Sequence, residues 1–140
     1  MKAGVRGSGL GASDRVAITN YRDLKVWQIA VDLVEAVYRL TLKFPKHEIY
    51  GITQQIQRAA VSVPSNIAEG HARASTKEFL HYISIALGSL AELETQLIVA
   101  TRLQYLRTQE LDSIVQETAQ TGKMLRGLQK TLLAKIRTSP

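Results

Sequence analysis

The stretch Phe79-Leu80-His81-Tyr82-Ile83-Ser84-Ile85-Ala86-Leu87-Gly88-Ser89-Leu90-Ala91-Glu92-Leu93-Glu94-Thr95-Gln96-Leu97-Ile98-Val99-Ala100 decides the fold. Its apolar residues Phe79, Ile83, Ala86, Leu90, Leu93, Leu97 and Ala100 follow one another in alternating steps of four and three. That is the 3.5-residue period of helices packed along one another in a bundle. Just upstream, Ser75 and Glu78 have the i, i+3 spacing of a capping box, which starts the helix.

Outward toward the N-terminus, a second helical pattern runs from about Tyr50 to Ala72, with a core stripe at Ile52, Ile56, Ala59, Ala60, Val63 and Ile67. Its opposite face is almost uncharged, because Arg58 is the only charge between Ile49 and Ala68. Such a face suits close packing rather than solvation. Pro64 falls inside the run, where it removes a hydrogen bond to the Ala60 carbonyl. The expectation is a kink relieved by Ser62, Ser65 or Asn66, or a new helix beginning at Pro64. Before it, Leu24 to Phe44 carries two seams, one at Leu24, Trp27, Val31, Val34 and Tyr38, the other at Val26, Ala30, Leu33, Val37, Leu40 and Phe44. A bundle helix buries one stripe, so two seams imply burial on two faces and a second copy of the chain against one of them. Trp27, Val31, Val34, Tyr38, Arg58 and Asn66 are the candidate subunit-interface residues.

Toward the C-terminus, Gln104 to Arg107 form a short link and Thr108 is the expected N-cap, with Glu110 and Asp112 complementing the helix dipole. The last helix follows through Leu111, Ile114 or Val115, Thr118, Leu125, Leu128, Leu132 and Ile136. Gly122 and Gly127 interrupt it, where the expectation is the close approach of another backbone. The reading is therefore all-α: an antiparallel up-and-down four-helix bundle over 21–140. Residues 1–20 hold four of the nine glycines, with Ser8 and Ser13 and a net charge of +2 from Lys2, Arg6, Arg15 and Asp14, and read as a flexible basic tail.

The chain has 140 residues, 45% of them hydrophobic and 21% charged, which is the range of one globular domain. It has no cysteine, so disulfides, thiolate zinc sites, iron–sulfur ligation and a cysteine nucleophile are excluded, and a reducing cytoplasm is the expected location. No run is expected to reach the ~20 apolar residues of a membrane span. Eighteen lysines and arginines against 12 acids give +6, which favours an anionic partner.

Catalytic motifs are missing from the sequence. There is no G-x-x-x-x-G-K loop and no G-x-S-x-G elbow. Glu78-x-x-His81 has the spacing of half a carboxylate-bridged metal site, but that site needs a second motif and two more inward glutamates, and Glu78 is already accounted for by capping. No metal, no cofactor and no enzyme activity are expected. Glu94, at the edge of the core, is expected to pair with Arg58 or Arg73. After Glu117 there are no acids, while Lys123, Arg126, Lys130, Lys135 and Arg137 add five positive charges. Steps of three, four and seven place Lys123, Arg126, Lys130 and Arg137 along one face. Such a stripe can follow phosphates of RNA or DNA by charge and shape, and it also complements the helix dipole. Arg102 and Arg107 form a second basic group at the other end of the neighbouring helices.

Three segments carry a family resemblance: Tyr21 to Gln28, Gln57-Arg58-Ala59-Ala60-Val61-Ser62-Val63-Pro64-Ser65-Asn66-Ile67-Ala68-Glu69-Gly70, and Ala86 to Leu97. Over about Tyr21 to Lys130 the chain resembles the four-helix-bundle proteins encoded in intervening sequences of bacterial large-subunit ribosomal RNA genes. The resemblance implies a cytoplasmic ring-like homo-oligomer, with a pentamer favoured, and no catalytic residues to carry over. The family is also similar in fold to accessory proteins of diversity-generating retroelements, which bind a reverse transcriptase and nucleic acid. Two functions follow as expectations: a nucleic-acid-binding oligomer, or a scaffold recruiting a protein partner.

Overall fold

Asn20 accepts the Arg22 N–H on its side-chain oxygen at 2.9 Å, which caps a 3-10 turn at Tyr21–Asp23. The computed structural model describes residues 20–138, so the expected tail lies outside the described residues apart from Asn20. Four helices follow: α1 (Lys25–Thr41), α2 (Ile52–Ala72), α3 (Thr76–Arg102) and α4 (Thr108–Thr138), with no strand among the described residues.

The decisive seam is the core. Ile83, Ala86, Leu90, Leu93, Leu97 and Ala100 of α3 are all buried, and Phe79 packs at the edge. Facing them are Ile56, Ala59, Ala60, Val63 and Ile67 of α2, Val26, Ala30, Leu33 and Val37 of α1, and Ile114, Leu125 and Leu132 of α4. Burying each Leu or Ile contributes ~1.5–3 kcal/mol, which is why the 3.5-residue pattern dictates which face turns inward. Consecutive helices pack on one another and α4 closes on α1, making a four-helix bundle. Gly70 lies against Tyr82 and Ser62 against Ser89 between α2 and α3, while Leu90 meets Gly122 and Glu94 meets Thr118 between α3 and α4.

Helix ends follow local chemistry. The Glu78 N–H donates to Ser75 Oγ at 3.1 Å and the Ser75 hydroxyl donates to Glu78 Oε1 at 3.2 Å, so the α3 cap forms where the spacing placed it. At the other end α3 stops at Gln104, whose φ of 66° is left-handed. The Tyr105 N–H then reaches the Ala100 carbonyl at 2.9 Å, the long bond of a Schellman closure built without glycine. Thr108 is the first residue of α4 rather than its N-cap. The capping is done by Glu110, whose carboxylate accepts the Arg107 N–H at 2.9 Å and a hydrogen bond from Lys43 at the end of α1.

Other expectations are corrected. Helix α2 runs unbroken through Pro64, so no new helix begins there. Asn66 Nδ2 donates to the Ser62 carbonyl at 2.8 Å and to Ser62 Oγ at 2.9 Å, a bond to a neighbouring carbonyl and not to that of Ala60. Neither late glycine meets a backbone: a Cβ at Gly122 would lie 3.2 Å from Leu90 Cδ2, and one at Gly127 would meet nothing within 4 Å. Glu94 pairs with neither expected arginine. It accepts a long hydrogen bond from the Thr118 hydroxyl at 3.4 Å, while Arg73 is held by Glu69 at 2.7 Å and the Tyr82 hydroxyl at 2.7 Å. Finally, α3 is long and apolar enough to cross a membrane by length and composition, with an 18-residue window of mean hydropathy 1.4. Its Leu, Ile, Val and Ala residues raise the window, while Gly, Ser and Thr between them keep it from being an unbroken apolar run; 39% of it is buried within the bundle.

Candidate functional site

The late part of α4 owes its direction to Leu125 and Leu132, which are buried and turn the opposite face outward. Lys123, Arg126, Lys130, Lys135 and Arg137 are all exposed, and none forms an ion pair with a carboxylate among the described residues. At about 100° per residue, Lys123, Arg126, Lys130 and Arg137 share one face and Lys135 projects from another. Arg126 folds back along α4, so that a Cβ on Gly122 would lie 3.2 Å from its guanidinium. There it lines a hollow of about 220 Å³ with Leu87, Leu90, Ala91 and Glu94. Arg126 is therefore the basic residue that shares its surroundings with Glu94, a neighbour the sequence did not assign to it.

Of the candidate interface residues, Tyr38 and Arg58 line two separate grooves. On α1 one seam is core and the other faces outward: Val31 is 37% and Tyr38 42% exposed, while Trp27 and Val34 are half-buried. Trp27 is held edge-on by Tyr21, with ring centroids 5.2 Å apart. Tyr38 lines a groove between α1 and α2 together with Thr53 and Gln57. Arg58 is exposed and lines a different hollow, of about 310 Å³, with Gln54, Gln55, Ser62 and Glu92. Asn66 is half-buried and spends its amide within α2. Below it the Ser62 and Ser89 hydroxyls meet at 2.7 Å, tying α2 to α3.

Electrostatics distinguish the end of the bundle where α4 begins. Lys43 first, then the Arg107 N–H, holds the Glu110 carboxyl down to about 2. Glu48 accepts the Tyr105 hydroxyl at 2.8 Å, which pushes that phenol above its ordinary value. Along the α1–α4 contact, burial and then the negative charge of Asp32 push Glu117 up. No group of three or more His, Asp or Glu capable of holding a metal occurs among the described residues. Sequence reasoning did not single out Leu42, Ile49, Tyr50 and Leu103, which are 85%, 50%, 88% and 50% exposed. The signal was available: these apolar residues sit at or beyond helix ends, outside every seam.

The model of the 23S rRNA-intervening sequence protein family matches residues 22–127. The chain belongs to this family. The match covers all of α1, α2 and α3 and most of α4, including Lys123 and Arg126, and ends before Lys130. The fold is also that of a solved protein of unknown function from the S23 ribosomal protein family of Bacteroides thetaiotaomicron VPI-5482. The two share 22% identity with a TM-score of 0.68, over 75% of this chain and 98% of that one. No protein of curated function matches the sequence. Within the intervening-sequence family, the Pro64-Ser65-Asn66 segment thus acquires a structural account: an uninterrupted α2 whose Asn66 amide is satisfied by Ser62.

Proposed function

We propose that this intervening-sequence family member is a non-enzymatic, cytoplasmic homo-oligomer that binds structured RNA or DNA through phosphates. The observation that carries the reading is the outward stripe Lys123, Arg126, Lys130 and Arg137, joined by Lys135, with no carboxylate paired to it among the described residues. Exposed cations along one helix face can follow a phosphate backbone and release counterions on binding. The bundle itself is read as antiparallel and up-and-down, because in the α2–α3 and α3–α4 pairs the contacts descend along one helix as they rise along the other: Gly70 with Tyr82 and Ser62 with Ser89, then Leu90 with Gly122 and Glu94 with Thr118. The outward seam of α1, with Val31 and Tyr38 exposed in the single chain, supports a neighbouring copy. A ring of five is the number implied by the family resemblance. Repeating the basic face around it would raise the effective concentration of each further contact.

Size-exclusion chromatography with light scattering and paired 260 and 280 nm absorbance, on protein purified without nuclease or high salt, tests assembly and ligand together. The expected result is a mass near five chains with excess 260 nm absorbance that nuclease removes. In the Lys123→Ala, Arg126→Ala, Lys130→Ala variant the mass should stay and the nucleic acid should be lost. Absence of RNA binding by the unaltered protein at low salt overturns the nucleic-acid reading, and a monomer overturns the ring.

A further inference from the structure

Ten large apolar side chains are exposed among the described residues, and six of them lie in the last turn of α1, the α1–α2 connection, or the last turn and C-cap of α3. These places form one end of the bundle. Phe44 and Tyr105, from the two connections, have ring centroids 5.5 Å apart, and the Tyr105 hydroxyl reaches Glu48 at 2.8 Å. Leu42 and Tyr50 are the most exposed, at 85% and 88%. Between α1 and α2 this end opens into a groove of about 540 Å³, walled by Tyr38, Leu42, Phe44, Pro45 and Ile49. That volume is in the range of sites that hold a ligand side chain or small molecule.

Two further features say what the groove fits. Thr53 lines it and is only 8% exposed, yet its hydroxyl has no hydrogen-bond partner among the described residues. Such a hydroxyl is relieved by an occupant that brings a polar atom among its apolar side chains, as the indole N–H of a tryptophan does and a lipid chain does not. The unpaired charge on the rim is cationic: Glu35 and Arg39 line the groove as an ion pair, while Lys46 lines it with no carboxylate paired to it among the described residues, nor is one paired to Arg102 at the same end. The carboxylates of Glu35, Glu48 and Glu110 are engaged internally by Arg39, Tyr105 and Lys43. A second copy docked end to end would set these cations against their own kind, which opposes pairing.

We propose that this end of the bundle docks an acidic amphipathic helix of a partner protein, whose apolar side chains enter the α1–α2 groove while its carboxylates meet Lys46. Helix-in-groove recognition of this kind relies on a few apolar anchors flanked by complementary charge. The site is at the opposite end of α4 from the phosphate-binding stripe, and the inference stands apart from the nucleic-acid reading.

The test uses the full chain and a fluorescein-labelled amphipathic helical peptide with Leu and Trp on one face and Glu on the other, read by fluorescence anisotropy. A second peptide carries Lys in place of Glu. Saturable binding of the Glu peptide is expected, weakened about tenfold or more in Leu42→Ser, Tyr50→Ser protein. Both side chains are exposed, so the fold is spared. Lys46→Glu should move the preference toward the Lys peptide, and the Lys123→Ala, Arg126→Ala, Lys130→Ala variant should bind the Glu peptide as the unaltered protein does. Lack of saturable binding, equal binding of both peptides, or loss of binding in the α4 variant overturns the proposal. So does an oligomer mass that falls in Leu42→Ser, Tyr50→Ser protein, which would make a second copy the occupant. Cosedimentation with phosphatidylglycerol vesicles that this variant abolishes would make the occupant a membrane and overturn it too.

Discussion

Glycine does opposite work at two positions in this chain. At Gly70, near the end of α2, an added Cβ would sit 2.7 Å from Tyr82 Cβ and 3.3 Å from the Phe79 carbonyl oxygen, so the first turns of α3 would have to move away. Alanine gains ~1 kcal/mol over glycine in a helix interior, but overpacking against a neighbouring element costs ~1–3 kcal/mol. At Gly127 nothing lies within 4 Å and only the propensity gain remains. Gly70→Ala is therefore expected to lower stability by about 1–2 kcal/mol and Gly127→Ala to raise it by about 1 kcal/mol. Urea denaturation of the two variants beside the parent checks both signs, and equal shifts in one direction would refute the contrast. Sequence alone could not tell these glycines apart, because what a Cβ would meet is decided by the partner helix.

Among the elements, legibility follows how local the cause is. The α3 seam and the Ser75–Glu78 cap were readable because periodicity and capping depend on residues within a turn or two of one another. The ends of α3 and α4 were not. Gln104 takes the left-handed position glycine usually fills, and Glu110 displaces Thr108 as cap because Lys43 arrives from α1 to share its carboxylate. That three-way contact makes a pH prediction. The Glu110 carboxyl lies at about 2 in the folded chain against an ordinary 4.5, held down first by Lys43 and then by the Arg107 N–H. A folded value below the unfolded one means stability that is fully present above pH about 4.5 and lost as pH falls through about 2. Glu110→Gln keeps an oxygen acceptor and removes the charge. Its melting temperature should lie below the parent's at pH 6, by an amount equivalent to about 1 kcal/mol, and should converge on it by pH 2. A gap that persists unchanged at pH 2 would mean that shape, and not charge, holds the α1–α4 junction.

Across the whole molecule, the two outward features of the bundle lie at different ends, and distance makes them separable. Exposed apolar residues crowd the end where α1 and α3 finish, whereas the basic stripe of α4 begins at Lys123, fifteen residues into the helix from Thr108. At 1.5 Å per residue that is about 22 Å along the helix, more than two Debye lengths of about 8 Å at physiological salt. The charges at one end therefore exert little force at the other, and a substitution at either should be felt only there. The site was half legible for the same reason the fold was: a run of cations after the last acid is visible in sequence, while Leu42, Tyr50 and Leu103 become one surface only when two distant connections are brought together by Tyr105 and Glu48. Measured as the logarithm of RNA affinity against the logarithm of salt concentration, Lys123→Ala, Arg126→Ala, Lys130→Ala should flatten the slope by about 2–3, the loss of three phosphate contacts at ~0.7–0.9 each. Leu42→Ser, Tyr50→Ser should leave both slope and affinity unchanged. A slope that falls in the second variant as well would mean the ends are coupled through assembly, with the apolar end setting how many basic faces a single nucleic acid can reach.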